Sequence, residues 1–328
     1  MCLCLLACQQ HKQNTENRIE LEEDAKTPVL LGENIISTGD YETHAALSPS
    51  GDTIYFLKCM PDLSTCAICV SYKEDNSWSD PVIVPFSGRY LDVDPFITKD
   101  GNTMYFVSNR PYKASDTLNS SWDIWKVERN GNNWGNPVHL DSIINSNANE
   151  YYPTVADNGT LYFGSSRGGG NGGSDIYRSK PIKGVFASVE NLGDSVNTTD
   201  NDYEAFIAPD ESYLIIMATI PNGLTNAHLY YSLNKNGNWS KATKLQGPVN
   251  SSAAEWSPKV TRDGKYFYFG STRNRNNGIP SKSETLTEFS KRIHESGNGL
   301  SDIYYVNFNS LSLDSIIQKM KELVLIRS

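Results

Sequence analysis

Five acidic residues recur along the chain, each at the head of a similar ten-residue motif. The motifs begin 50, 58, 52 and 53 residues apart. Carboxylates brought together in pairs are what glycoside hydrolysis requires, one as acid and one as base or nucleophile. The five motifs are ETHAALSPSG from Glu42, DVDPFITKDG from Asp92, EYYPTVADNG from Glu150, DYEAFIAPDE from Asp202 and EWSPKVTRDG from Glu255.

Three of these acids have a predicted arginine partner and a predicted aspartate partner in the same repeat. The arginine ends the second hydrophobic segment and the aspartate opens the third. Such a cluster would hold three strands in register through charge-assisted hydrogen bonds, so we interpret it as structural. The clusters are Asp92–Arg110–Asp123, Glu150–Arg167–Asp175 and Glu255–Arg273–Asp302.

The first and fourth repeats keep the acid but lose both partners, which leaves carboxylates without an arginine. These carboxylates are candidates for catalysis, and the alternative is that they are simply solvated at a rim. The candidate catalytic residues are Glu42, Asp202 and Glu204. The candidate ligand-binding residues near them are His44, Asp94 and His228.

Three aromatic residues directly follow a recurring acid: Tyr151, Tyr203 and Trp256. An aromatic ring at such a position can stack on a sugar ring or pack between neighbouring repeats. We favour packing and keep these residues as ligand-binding candidates.

The cysteines indicate a disulfide better than a metal site. Cys66 and Cys69 form a C-x-x-C, but no second pair follows at zinc spacing. Cys59 and Cys66 fall near facing ends of two predicted strands, so we predict a disulfide between them. No metal site and no cofactor are predicted, since no P-loop or dinucleotide fingerprint occurs. A Ca²⁺ ion bound by carboxylates and carbonyl oxygens stays an open alternative.

Each repeat reads as four short antiparallel strands. In the third repeat an Asn158-Gly159 turn joins the first two strands, and glycine tolerates the positive φ of a tight hairpin. Strand-rich repeats of this length are typical of propeller blades.

The fifth repeat lacks a fourth strand, and residues 27–35 match the missing one, so we expect them to close the ring. The fold class is therefore all-β, a single five-bladed β-propeller. A sixth blade would have to lie within residues 274–300, whose sequence favours a helix.

The repeats resemble the TolB-type, WD-like β-propeller repeat of bacterial envelope proteins. The segments SPSGDTIYF, KDGNTMYFVSNR, DNGTLYFGSSRGGGNGGSDIY and RDGKYFYFGSTR carry this resemblance, which covers residues 27 to about 308. It implies the fold and little about function, because that family includes scaffolds, envelope lipoproteins and carbohydrate-active enzymes.

The two ends of the chain fall outside the repeats. Residues 1–8 resemble a lipoprotein signal remnant, with Leu5-Leu6-Ala7 preceding Cys8 as the predicted lipidation site. Residues 9–26 read as a flexible tether. Residues 309–328 predict a C-terminal amphipathic helix, from about 312 to 326, because apolar residues recur there at helical spacing.

The charge pattern helps to exclude classes of partner. The net charge is −9 and no Lys/Arg run occurs, so nucleic acid is not an expected partner.

We expect an exported monomer that is anchored to the cell envelope by a lipid, with the outer membrane as the favoured location. The predicted function is a non-enzymatic binding or scaffold module that recognises a protein or glycan. Its binding face should carry the insertions between second and third strands, at 111–121, 168–173 and 274–300. The alternative is a glycan-active enzyme resembling a glycoside hydrolase.

Overall fold

The chain forms a five-bladed β-propeller of antiparallel blades, as the repeats predicted. The computed structural model describes residues 21–22, 24–75, 77–112, 117–119, 121–219, 227–275, 278, 280–313 and 317. The predicted lipidation site at Cys8, the signal remnant and most of the tether lie outside these residues.

Each blade is built from consecutive strands, and its fourth position is filled by one or two very short segments. Blade one comprises Tyr41–Leu47, Thr53–Cys59, Cys66–Glu74, Ser77–Trp78 and Val82–Ile83. Blade two comprises Asp92–Ile97, Thr103–Ser108, Asp123–Asn130, Asn133–Trp134 and Val138–His139. Blade three comprises Glu150–Val155, Leu161–Ser165, Asp175–Ser179 and Glu190–Asn191, with a separate hairpin of Pro181–Ile182 and Val185–Phe186.

Blades four and five complete the ring. Blade four comprises Asn201–Ile207, Tyr213–Thr219, Ala227–Lys235, Asn238–Trp239 and Thr243–Lys244. Blade five comprises Glu255–Val260, Tyr266–Ser271 and Asp302–Asn307. Its fourth strand is Val29–Leu30, which pairs antiparallel with Tyr304 and Tyr305. The predicted closure by the N-terminal strand is therefore confirmed, and it covers a sheet edge that would otherwise be exposed.

The core lies between neighbouring blades, where side chains of the second and third strands interdigitate. The second strand of every blade supplies a fully buried apolar residue, because both of its faces meet another sheet. These residues are Ile54, Phe106, Phe163, Ile215 and Phe267.

The 274–300 insertion contains the helix Leu286–Ile293. Thr285 and Glu288 form a capping box at its start, which satisfies backbone donors that the first turn leaves free. A helix rather than a sixth blade thus occupies the described part of this insertion. No helix among the described residues is long and apolar enough to cross a bilayer.

The chain leaves blade five through a 3-10 turn, Phe308–Leu311. Leu313 and Ile317 are buried in the same core cluster as Phe308. The rest of the predicted C-terminal helix falls on residues outside the described ones.

The first strands of the five blades lie innermost and contact one another around the central channel. Each of them has a register shift within the four residues that follow its recurring acid, the mark of a β-bulge. In four blades the residue two positions after the recurring acid has a positive φ, which non-glycine residues rarely adopt and which often marks a functional site. They are His44 (51°), Asp94 (56°), Tyr152 (44°) and Ser257 (47°).

Candidate functional site

The five recurring acids are buried, and each accepts hydrogen bonds from the loop that precedes the first strand of its blade. All five are fully buried. In four blades the carboxylate accepts a hydrogen bond from the backbone N–H four residues earlier, as Glu150 does from Ser146 at 3.0 Å. The other three donors of this kind are Thr38 to Glu42, Thr198 to Asp202 and Ser251 to Glu255. In blade two, Ser87 Oγ bonds Asp92 instead, at 2.9 Å.

The predicted arginines do contact the acids in blades two, three and five. The shortest distance between a guanidinium nitrogen and a carboxylate oxygen is 2.5 Å for Arg110 and Asp92. It is 3.0 Å for Arg167 and Glu150, and 3.4 Å for Arg273 and Glu255. Each arginine also bonds a serine at the end of the second strand and a backbone carbonyl. These networks tie strand, loop and neighbouring blade together.

The aspartate that was predicted as the third member of each cluster does not contact the arginine. The acid–Arg–Asp interpretation was therefore wrong in this part. Asp123 accepts hydrogen bonds from Tyr112 Oη at 2.8 Å and pairs with His139 Nε2 at 2.9 Å. Asp175 accepts from the backbone of Asn171 and Gly172, and Asp302 from the backbone of Gly297. The third-strand aspartates therefore fix the insertions, because their carboxylates point to these loops and not to the arginines.

Blades one and four have replaced the arginine differently. Glu42 was predicted to lack a basic partner, but Lys58 Nζ lies 3.3 Å from its carboxylate and pairs with it. Asp202 has no ion pair among the described residues, and burial raises its pKa to about 7, with Asp175 and Asp200 adding repulsion. His228, predicted to lie by Asp202, instead pairs with Glu255 of blade five at 3.0 Å. Glu42 and Asp202 are fully buried, and each is bonded to the loop that precedes its strand.

Three of the residues that lie two positions after a recurring acid meet inside the channel and form a charged cluster: His44, Asp94 and Glu204. His44 Nε2 lies 3.0 Å from Glu204 Oε1 and 3.2 Å from Asp94 Oδ1. The second oxygen of Asp94 accepts from the backbone N–H of Tyr152 at 2.9 Å, and that of Glu204 accepts from the N–H of Ser257. All five blades therefore contribute to holding two carboxylates against one imidazole, and each carboxylate is bonded at both oxygens.

Burial and mutual attraction set the protonation of this cluster. Burial raises the pKa of Asp94, while the attraction of His44 opposes that rise. For His44 burial opposes protonation, but the nearby carboxylates of Glu204 and Asp94 outweigh it and raise its pKa. The arrangement favours a protonated imidazole between two acids.

A tyrosine and a lysine lie next to this cluster in the channel. Tyr152 is fully buried, and its hydroxyl donates to Pro258 O at 2.9 Å. Lys259 Nζ donates to the same hydroxyl at 2.9 Å. Burial lowers the pKa of Lys259 to about 7, although Asp94 and Glu204 attract its charge. Together these buried side chains close the channel, since the cavities at its two ends share no lining residue.

A cavity of about 500 Å³ opens above the closed channel, between blades four, five and one. Its walls are mostly apolar and aromatic, and His44 and Glu204 lie on its lining with small exposed fractions of 14% and 8%. This cavity, the mouth cavity, lies on the face where the first strands begin and where the 2–3 insertions emerge. Its lining is Tyr41, Thr43, His44, Pro61, Asp62, Leu63, Glu204, Met217, Ala253, Ala254, Trp256 and Thr272.

The aromatic residues that follow the acids pack between blades. Tyr151 contacts Tyr203 edge to face with ring centroids 5.3 Å apart. Trp256 stacks on Tyr41 at 6.3 Å and donates from Nε1 to Thr43 Oγ1 at 2.7 Å. Of the three candidates, only Trp256 lines the mouth cavity.

One wall of the mouth cavity is closed by a covalent bond. Cys59 and Cys66 form a disulfide, seven residues apart, that ties the ends of the loop containing Pro61 and Leu63. Cys69 is a free, buried cysteine. Among the described residues, no group of three or more His, Cys, Asp or Glu side chains is arranged to hold a metal ion.

Sequence reasoning singled out His44, Asp94, Glu204 and Trp256 but missed Lys259. The signal was in the repeat: four residues after the acid, the other four copies have Ala46, Phe96, Thr154 and Phe206, and only the fifth has a charged residue. Tyr41 and Tyr152 carried no comparable signal.

No protein-family model and no curated protein matches the chain. The fold has many similar solved structures. TolB from Acinetobacter baumannii is 16% identical with a TM-score of 0.48, and the match covers 81% of this chain but only 54% of that one. The α-L-arabinofuranosidase from Lactobacillus brevis is 11% identical with a TM-score of 0.52, covering 84% of this chain and 92% of the other.

A further structure described as a glycoside hydrolase is 12% identical with a TM-score of 0.54, and the match covers 87% and 92% of the two chains. At these identities the similarity shows a shared propeller fold alone. The two of these structures with TM-scores above 0.5 are glycosidases, and they show that this chain shares the propeller architecture with them.

Proposed function

We propose that this protein is a non-enzymatic binding module of the bacterial cell envelope, and that it holds a protein or glycan ligand in the mouth cavity. The observation that carries the proposal is the combination of an open, apolar cavity with a channel floor whose charges are already paired. A volume of about 500 Å³ is within the range of small-ligand pockets.

The lining favours recognition of a ligand with one apolar face and a few polar groups. Trp256 and Tyr41 offer ring surface against which a sugar ring or an apolar side chain can pack. Glu204 lies at the cavity floor, where the remaining lone pairs of its carboxylate can accept a hydrogen bond from a ligand. A few fixed polar groups in an apolar pocket give orientation and specificity.

A glycoside hydrolase is the second candidate, because Asp62 places another carboxylate on the lining with Glu204. The geometry supports it less well. Of the carboxylates predicted for catalysis, only Glu204 lines the cavity, and His44 is bonded to it. Hydrogen bonds from Ser64 lower the pKa of Asp62, whereas a general acid needs a raised one. Asp94 and Glu204 share one imidazole nitrogen, which leaves no room for a sugar between them.

A panel of defined oligosaccharides and polysaccharides tests both candidates. Binding is measured by calorimetry and turnover by release of reducing sugar. The proposal expects binding without turnover, weakened by Glu204→Gln and by Trp256→Ala, and unchanged by Glu74→Gln, which alters an exposed carboxylate outside the cavity. Turnover lost in Glu204→Gln would replace the binding proposal with the enzymatic one.

A protein ligand is tested in the same framework. Cross-linking from a photoreactive residue at Leu63, on the cavity wall, should capture an envelope protein if the ligand is a protein. Absence of a cross-linked partner, together with failure of every glycan to bind, would contradict the proposal.

A further inference from the structure

A second cavity, of about 640 Å³, opens at the opposite end of the channel, where the first strands end. The first strands of the five blades supply its inner lining, so it is the far mouth of the same channel. We call it the far cavity. Its inner part includes Ala46, Phe96, Phe206, Lys259 and Tyr268, and its rim includes Lys99, Asp157 and Arg262.

Lys259 is the unusual group in the lining of the far cavity. The residue is only 3% exposed. One hydrogen bond is formed by its ammonium, to Tyr152 Oη at 2.9 Å, and the charge lies 4.1 Å from the centre of the same ring. No carboxylate oxygen of the described residues lies within 4.0 Å of Nζ, although two other donors of the ammonium are free to bond.

A buried ammonium without an adjacent anion is costly, and proteins normally pair such a charge. The carboxylates of Asp94 and Glu204 attract Lys259 from a distance, but both are already bonded to His44. The charge of Lys259 is therefore incompletely compensated inside the protein, and it lies on the wall of a cavity large enough for a ligand.

The surroundings of Lys259 define the shape and polarity of that ligand. Phe96, Phe206 and Tyr268 make the inner cavity apolar. At the rim, Arg262 of blade five forms a two-point ion pair with Asp157 of blade three, and Lys99 donates to the backbone of Asp157 at 2.9 Å. Asp157 thus engages both Arg262 and Lys99 at the rim, whereas the inner lysine keeps donors for a ligand.

We propose that the far cavity is a binding site for a small monocarboxylate with an apolar body, whose carboxylate pairs with the ammonium of Lys259. The apolar body packs against the phenyl rings, and the carboxylate accepts the hydrogen bonds that Lys259 now lacks. This site is distinct from the mouth cavity, because the closed channel with Tyr152 and the charged cluster lies between them.

Calorimetry with decanoate and its uncharged counterpart decanol tests the proposal on the wild-type protein. Decanoate should bind at least about tenfold more tightly than decanol, the effect of a charge-assisted hydrogen bond in a buried site. Burial lowers the pKa of Lys259 to about 7, so most of these side chains are neutral at pH 8 before the ligand binds. The bound carboxylate holds Lys259 in its charged form. Repeating the titration at pH 8 in buffers of different ionisation enthalpy should therefore show uptake of nearly one proton. Equal affinity for the two ligands, no decanoate binding, or binding without proton uptake would each overturn the proposal.

A matched pair of variants locates the effect. Lys259→Met keeps the length and apolar stem of the side chain and should abolish the preference for decanoate over decanol. Lys235→Met removes an exposed lysine that lines neither cavity and should leave the preference intact. A preference that survives in Lys259→Met overturns the proposal. Should Lys259→Met fail to fold, the proton uptake of the wild type still decides.

Discussion

His44 Nε2 lies 3.0 Å from Glu204 Oε1, although 160 residues separate them in the chain. The contact joins blade one to blade four across the channel and sits at the floor of the mouth cavity. It links the two blades, and both side chains are partly exposed to that cavity, where the proposed ligand would meet them.

Glu204→Gln should lower the pKa of His44. The present pKa is raised because Glu204 and Asp94 attract the protonated imidazole more than burial disfavours it. Without the charge of Glu204, the attraction is weaker, and burial lowers the pKa of His44 further. An NMR titration of the imidazole measures the change, with Glu74→Gln as the matched exposed control. A pKa of His44 that does not fall would show that the two groups are not coupled in solution.

The same contact predicts a pH dependence of stability. The pKa of His44 is higher in the folded protein than its ordinary value of 6.5. The stability that its protonation contributes is therefore complete below about pH 6.5 and is lost as the pH rises through the raised value. His44→Gln should remove this loss, and thermal melting of both proteins from pH 5 to pH 9 measures it. Parallel melting curves for wild type and variant would contradict the prediction.

Asp202→Asn should stabilise the protein at alkaline pH. Burial raises the pKa of Asp202 to about 7 from 3.8, so the contribution of this residue is complete below pH 3.8 and lost as the pH rises to 7. Between pH 5 and pH 8 we expect the wild type to lose about 3 kcal/mol at this residue, and the variant to lose none of it. Urea unfolding at both pH values measures the difference, with the exposed Asp80→Asn as control.

Removing the disulfide should affect both stability and the mouth cavity. Cys59→Ser with Cys66→Ser should cost about 2 kcal/mol of unfolding free energy, as expected for a bond that closes a short loop. The freed loop carries Pro61 and Leu63, so ligand affinity at the mouth cavity should fall as well. Cys69→Ser is the control that keeps the disulfide. Non-reducing peptide mapping that found Cys59 and Cys66 as free thiols would contradict the pairing.

Two glycines at corresponding positions of the second strands should respond differently to alanine. A Cβ at Gly270 would meet Trp256 Nε1 at 2.4 Å and Thr43 Oγ1 at 2.7 Å, both side-chain atoms that can shift. A Cβ at Gly164 would meet the backbone oxygen of Tyr203 at 2.1 Å. Gly270→Ala should therefore cost about 1 kcal/mol and Gly164→Ala about 3 kcal/mol, the range found for overpacked cores.

Chemical denaturation measures both alanine variants. Ligand binding should weaken in Gly270→Ala, because Trp256 and Thr43 line the mouth cavity. A Gly164→Ala protein as stable as the wild type would show that blades three and four are not packed this closely.

The sequence by itself determined the fold. A motif repeated at about fifty residues can bury its apolar strands only by stacking copies of itself, so the blade pattern and the count of five followed from the spacing. The match of residues 27–35 to a fourth strand determined the ring closure, and Val29–Leu30 does pair with the third strand of blade five. The arginine contacts of Asp92, Glu150 and Glu255 followed from charges at equivalent repeat positions.

Only the tertiary structure decided the site. A bulge changes which residues of a first strand face the channel, and its place depends on pairing with the second strand, so the meeting of His44, Asp94 and Glu204 could not be read from spacing. Lys58 beside Glu42, and His228 beside Glu255, likewise depend on how neighbouring blades pack. The sequence determined which residues belong to each blade, because that is a local and periodic property. The curvature of the closed ring decided which of them face one another across the channel.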